Sequence, residues 1–129
     1  MIESLDHLVL TVVDIERTVS FYCGVLGMER VAFAGGRTAL CFGRQKINLH
    51  QRGHEFEPKA LTPMPGSADL CFVTLWTPDQ VVARLADAGV AIEEGPVART
   101  GAMGPIISVY VRDPDGNLVE ISRYRTESD

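Results

Sequence analysis

Asp113-Pro114-Asp115-Gly116-Asn117-Leu118-Val119-Glu120-Ile121 reads as a tight turn feeding a strand. Pro114 suits the φ of about −65° that a type I turn wants, and Gly116 and Asn117 tolerate the positive φ that follows. Beyond the turn the side chains alternate, so Glu120 points away from the face of Val119 and Ile121. Glutamate is depleted in strands, so propensity does not explain Glu120. It reads either as part of the solvated face of an antiparallel sheet or as a metal ligand or general base in a sheet-lined cavity.

Working outward, residues 106–112 and 92–98 read as strands before this one, which runs over 118–123. Residues 78–88 read as a helix, with Pro78 at the permitted first position, Val81, Val82 and Leu85 as its apolar stripe and Gly89 as its stop. Residues 68–74 form a strand ahead of it. The second half is therefore β-α-β-β-β. The first half has the same order. A strand over 5–13 leads to Asp14 as N-cap and a helix over 17–26, with Ile15, Val19, Tyr22, Cys23 and Leu26 at helical spacing. Gly27 closes that helix. Strands follow at 28–34, 37–42 and 46–50, the first two joined by a Gly35-Gly36 turn. Residues 51–67, rich in Gly and Pro, form a long loop of the kind that carries function or joins two units. The polar tail, 126–129, is expected to fray.

The chain therefore contains an internal duplication with a period of roughly sixty residues. Superposing the halves places His7 on Asp69 and Asn48 on Glu120. Each half carries a potential ligand on its first and its last strand. Alternation puts these four opposite Leu8, Leu49, Leu70 and Ile121, which would pack under the helices.

Composition bounds the rest. The 129 residues suit one domain, and 46% hydrophobic residues describe a soluble globular protein. No apolar run approaches the ~20 residues that span a bilayer, and the N-terminus lacks a basic, apolar leader. This favours the cytoplasm. A net charge of −5 argues against nucleic acid and anionic membranes as partners. Cys23, Cys41 and Cys71 match no zinc spacing and read as buried thiols.

Several of these motifs resemble the vicinal oxygen chelate superfamily, which contains glyoxalase I, extradiol dioxygenases, fosfomycin-resistance enzymes and bleomycin-binding proteins. The matches are Asp6-His7-Leu8 with Val12 and Asp14, Phe21-Tyr22 with Val25-Leu26-Gly27-Met28, and Asp113-Pro114-Asp115-Gly116-Asn117 with Glu120. The resemblance runs from Leu5 to Ser122. It looks closest to the subgroup called glyoxalase domain-containing protein 5, on Lys46-Ile47-Asn48-Leu49-His50, Ser67-Ala68-Asp69-Leu70 and the stretch from Glu93 to Gly101.

The resemblance implies an α+β fold of two tandem βαβββ modules, 1–52 and 66–125, within a single domain over 1–129. They would form a partly open half-barrel completed by dimerisation. It implies one divalent metal per site (Mn, Fe, Ni or Zn), with His7, Asp69 and Glu120 as ligands. The homodimer would share its sites, His7 and Asn48 of one subunit facing Asp69 and Glu120 of the other. Relatives usually carry Glu, Gln or His at the positions of Asn48 and Asp69. The oxygen-rich set here shifts preference toward harder cations, Mn²⁺ or Mg²⁺.

The implied chemistry is glyoxalase-like, a lyase or isomerase in which the metal chelates vicinal oxygens of a small substrate and stabilises an enediolate while Glu120 or a nearby group moves the proton. The alternatives are an Fe(II) extradiol dioxygenase and a metal-free protein that binds an antibiotic or other small molecule. His50, on the face of Asn48, is a candidate acid–base group. Ser108 and Tyr110 share a face on the strand before Glu120, and Tyr110 can bind substrate or donate a hydrogen bond. Arg99, in a Gly-rich stretch over 99–104 suited to a mobile flap, can pair with a substrate carboxylate or phosphate. Cys71 shares the face of Asp69 and joins Asn48 as a candidate substrate contact.

Overall fold

A computed structural model describes residues 1–126. Of the tail expected to fray, residues 127–129 lie outside the described residues. The chain divides into two compact units, Met1–Ala68 with Pro114–Gly116, and Asp69–Asp113 with the segment from Asn117 onward.

The first unit holds β1 (His7–Val12), α1 (Ile15–Gly24), β2 (Glu29–Phe33), β3 (Arg37–Phe42) and β4 (Gln45–Gln51). The second holds β5 (Asp69–Val73), α2 (Pro78–Asp87), β6 (Glu94–Gly101), β7 (Gly104–Arg112) and β8 (Leu118–Tyr124). Each unit is one four-stranded sheet, ordered β1-β4-β3-β2 in the first and β5-β8-β7-β6 in the second. In both, the first strand runs parallel to the last and the other pairings are antiparallel. The α+β class and the duplicated βαβββ order are as the sequence implies. The loop after β4 contains no helix or strand.

α1 starts immediately after Asp14, two residues before the expected start. The Asp14 side chain accepts the Arg17 N–H at 3.0 Å, and its carbonyl accepts both the N–H and the hydroxyl of Thr18. That second bond turns Thr18 inward. The buried face is Thr18, Phe21 and Tyr22; of the expected stripe Tyr22 is buried, while Ile15, Val19, Cys23 and Leu26 are half-buried. A threonine is tolerated there because its hydroxyl is already paired. The helix closes on an αL glycine, with Gly27 at φ 80° and its N–H on the Cys23 carbonyl. α2 opens with a capping box between Thr77 and Gln80 ahead of Val81 and Leu85, its buried pair.

In each sheet one face meets its helix and the other carries the candidate site residues. Leu10, Val12, Leu40, Ile47 and Leu49 form the core of the first unit, and Val109, Val111, Val119 and Ile121 that of the second. Each such side chain contributes about 1.5–3 kcal/mol by leaving water.

Three further expectations change. β6 runs to Gly101 and pairs through Arg99 with Ile106, so residues 99–101 are one arm of a hairpin instead of a flap. The shift has a steric anchor at Gly95. A Cβ there would meet the Ser108 carbonyl oxygen at 2.4 Å, and its φ is 109°. None of the thiols is fully buried: Cys23 and Cys41 are half-buried and Cys71 is exposed. Asn117 does not serve the turn through positive φ. It is buried, with its backbone and side-chain N–H groups on the Asp113 carboxylate at 3.0 and 2.8 Å, so the pair closes the turn by hydrogen bonding.

Candidate functional site

The first sheet presents His7, Asn48 and His50 on one face. Strand register explains this. His7 pairs with Lys46, Val9 with Asn48 and Thr11 with His50, and Ala39 of β3 pairs with Asn48. His7 is half-exposed, and its Nδ1 lies 2.8 Å from the Asp6 carboxylate. That contact orients the ring through Nδ1, as a carboxylate does for metal-bound histidines generally.

Asn48 and His50 are buried, at 5% and 3% exposure. Asn48 Oδ1 has no hydrogen-bond partner among the described residues. His50 Nε2 lies 3.3 Å from Arg37 Nη2. A guanidinium can only donate, so Nε2 accepts and the neutral ring carries its proton on Nδ1. Burial, then the charge of Arg37, holds His50 below its ordinary value of 6.5.

The sequence did not single out the groups around His50. Phe56 of the long loop meets the His50 ring at 5.6 Å. The Arg37 guanidinium lies over Phe33 and Phe56 at 5.1 and 4.8 Å, and Lys46 Nζ over Phe33 at 4.1 Å. Strand parity could have found three of these, since Phe33, Arg37 and Lys46 share the face of Asn48. Nothing in the sequence marks Phe56.

The second sheet brings Asp69, Cys71, Ser108, Tyr110, Glu120 and Arg99 to one face. Its centre is a directed chain of hydrogen bonds. Ser108 Oγ donates to Glu120 Oε2 at 2.5 Å, so it accepts from Ser122 Oγ at 2.7 Å; Ser122 Oγ also lies 3.3 Å from Glu120 Oε2 and accepts from the Cys71 thiol at 3.2 Å. Burial raises the Cys71 thiol, which stays protonated at neutral pH and serves as a donor rather than a nucleophile. Ser122 was not foreseen, although it lies on the face of Glu120 two residues on.

Arg99 is already engaged. Its Nε donates to Tyr110 Oη at 3.1 Å and its Nη2 to Glu94 at 3.0 Å, with the guanidinium over the Tyr110 ring. Burial raises Tyr110, Arg99 lowers it, and the Glu120 charge raises it again.

Among the described residues no three His, Cys, Asp or Glu side chains of one chain form a metal cluster. Each sheet supplies two of the four ligand-type positions. The donor chemistry fits a divalent cation. An imidazole oriented by Asp6 and a carboxylate held at one oxygen by Ser108 are both preorganised, and Asp69 adds a second carboxylate.

The Glyoxalase/Bleomycin resistance protein/Dioxygenase superfamily profile matches residues 4–121, and the chain belongs to this superfamily. Virulence protein STM3117 of Salmonella typhimurium is 60% identical over 124 residues, covering 96% of this chain and 86% of that one. Its crystal structure superposes with a TM-score of 0.95 over 97% of this chain and 99% of its own. Glyoxalase domain-containing protein RDO1 of Mycosarcoma maydis is 57% identical, covering 96% of this chain and 70% of its own. Lactoylglutathione lyase from Agrobacterium tumefaciens shares the fold at 23% identity, with a TM-score of 0.73 over 95% of each chain. No helix among the described residues is long and apolar enough to cross a membrane.

Proposed function

We propose that this chain is a divalent-metal enzyme of glyoxalase I-like lyase or isomerase type, acting on a small substrate that presents two adjacent oxygens. His7 of one protomer and Asp69 and Glu120 of its partner would hold the cation in a cytoplasmic homodimer. The observation that carries this reading is the matched preorganisation of His7 by Asp6 and of Glu120 by Ser108. Second-sphere bonds of this kind fix ligands that must act with defined geometry. The same faces expose Val9, Val31 and Val73 at 44%, 36% and 61%, which supports their being covered by a second copy.

When bound, the cation supplies Lewis acidity to the substrate oxygens. The protein's own groups do the rest. Asn48 Oδ1 accepts from a substrate hydroxyl. His50, neutral with its proton on Nδ1, is a donor on the same face. Glu120 stands opposite Tyr110 on the neighbouring strand, and Arg99 holds Tyr110 in place by bonding its oxygen. Cys71, through Ser122 and Ser108, keeps the Glu120 carboxylate oriented.

The test is elemental analysis of untagged, native-purified protein together with His7→Ala and Glu120→Ala. About one divalent metal per subunit is expected in the parent. Both variants should lose it while keeping their circular dichroism. Unchanged stoichiometry in both removes the assignment. Iron as the resident metal, with catechol-dependent oxygen uptake, would replace the lyase reading by the dioxygenase one.

A further inference from the structure

The first-sheet half of the site is shut by the chain itself. Asn48 and His50 are 5% and 3% exposed, and Ala39, which pairs with Asn48, is 1% exposed. One side chain of the loop after β4 lies over this face. The Phe56 ring meets the His50 ring at 5.6 Å and covers the Arg37 guanidinium at 4.8 Å, while Arg37 Nη2 reaches His50 Nε2. Phe56 itself is 42% exposed, so it closes the face from the solvent side.

The loop that carries Phe56 is held weakly. Its first end is pinned where the Arg52 N–H meets the Val12 carbonyl at 2.8 Å. Its other end is pinned at Gly66, φ 79°, where a Cβ would meet the Asp115 carbonyl oxygen at 2.6 Å. Between these points the hydrogen bonds and ion pairs among the described residues are local. The His54 N–H bonds the Gln51 carbonyl, Glu55 accepts from the Gly53 N–H, Glu57 pairs with Lys59, and the Met64 carbonyl accepts from Ser67 Oγ. Leu61 and Met64 are exposed. Among the described residues, the ring contacts of Phe56 are therefore what ties this loop to the sheet.

The closed state also carries a penalty. Arg37 Nε and Asn48 Oδ1, a donor and an acceptor of the covered face, are buried with no hydrogen-bond partner among the described residues. Folded proteins pair the great majority of such atoms, and each regains a hydrogen bond when water reaches it. Segments with few buried contacts open locally, at a free energy below that of global unfolding.

We infer that residues 53–65 form a lid latched by Phe56, which lifts off the first sheet while the rest of the chain stays folded. Lifting uncovers His50 and takes from Arg37 one of its two ring partners, so that Arg37 swings and admits water or substrate toward Asn48. The inference rests on the reading of this face as half of the substrate site and supplies its gate. Neither metal nor substrate is needed to observe the motion.

The experiment is carbethoxylation of the native protein by diethyl pyrocarbonate, followed histidine by histidine with peptide mass spectrometry at about pH 8, where an ordinary imidazole is neutral and reactive. His54, exposed in the loop, is the accessible reference. His50 should react at least about 10-fold more slowly than His54 yet at a measurable rate, and that rate should stay flat in urea below the unfolding transition, because lifting a lid exposes little surface. Phe56→Ala should raise the His50 rate about 10-fold, with circular dichroism and the His7 rate unchanged. Phe56→Tyr, which keeps the ring, should stay at the parent rate.

A His50 that reacts as fast as His54, one that never reacts while the protein is folded, or one whose rate climbs with urea as steeply as global unfolding overturns the proposal. So does a rate that Phe56→Ala leaves unchanged. The urea series on the parent decides the question even where Phe56→Ala fails to fold. Metal content measured on the same samples keeps the two readings apart. Lid opening in a protein that takes up no metal refutes the metal site alone, and a metal-loaded protein whose His50 reacts only through global unfolding refutes the lid alone.

Discussion

The two sheets have one topology and opposite face chemistry. Register places Asn48 and Glu120 at the same point of the repeat, two residues beyond the partner of His7 in one sheet and of Asp69 in the other. At the surrounding positions the modules diverge. His50 corresponds to Ser122, Arg37 to Ser108, Ala39 to Tyr110 and Lys46 to Leu118. The first face is cationic and aromatic around a neutral amide. The second carries carboxylates wired to hydroxyls. The repeated register sets where side chains stand, and the residue at each point sets the chemistry of its face.

The largest test of this contrast separates core from face. Ile47→Ala in the first sheet and Ile121→Ala in the second should each cost about 2–5 kcal/mol of stability, read by urea unfolding. His7→Ala should stay within about 0.5 kcal/mol, because the side chain is exposed. A comparable loss for His7 would make that face a structural one.

Ser108→Ala sharpens the second-sheet side of the comparison. It removes the closer of the two hydroxyls on Glu120 Oε2, leaving Ser122 Oγ at 3.3 Å, and should lower divalent-metal affinity about 10–100-fold with little change in fold, measured by competition with a chelator. Unaltered affinity would mean that the hydroxyl chain serves packing alone.

The smallest expected effect is a pH dependence confined to the first sheet. The pKa of His50 is lowered in the folded state, so the unfolded chain binds more protons just below pH 6.5. Its contribution is fully present above that value and is lost as pH falls toward the folded pKa. Arg37 and Lys59 oppose protonation and Glu55 and Glu57 favour it, with burial and Arg37 the larger causes. His50→Gln should flatten the stability curve between about pH 7 and 5 in thermal melts. An unchanged slope would assign the acid sensitivity to other groups.

Much of the architecture was legible because it is written in local, periodic signals. Asp14, Gly27, Pro78 and the turn after Arg112 punctuate the elements, and alternation assigned His7, Asn48, Asp69 and Glu120 to shared faces. The errors fell where a tertiary contact overrides a local rule. Thr18 is buried because its hydroxyl finds the Asp14 carbonyl. Arg99 sits in a strand because Gly95 lets the β6 backbone approach Ser108 closely enough to pair.

By itself the sequence determined the repeat, the element order and the face on which each polar residue of a strand stands, because backbone periodicity links neighbours in the chain. Only the tertiary structure decided which of those residues have partners. Phe56 comes from a loop without periodicity to stack on Arg37, Ser122 links Cys71 to Ser108, and among the described residues Arg37 Nε and Asn48 Oδ1 are buried without a mate. Hydrogen bonding and desolvation depend on distances between residues far apart in sequence, and those distances exist only once the sheets have formed.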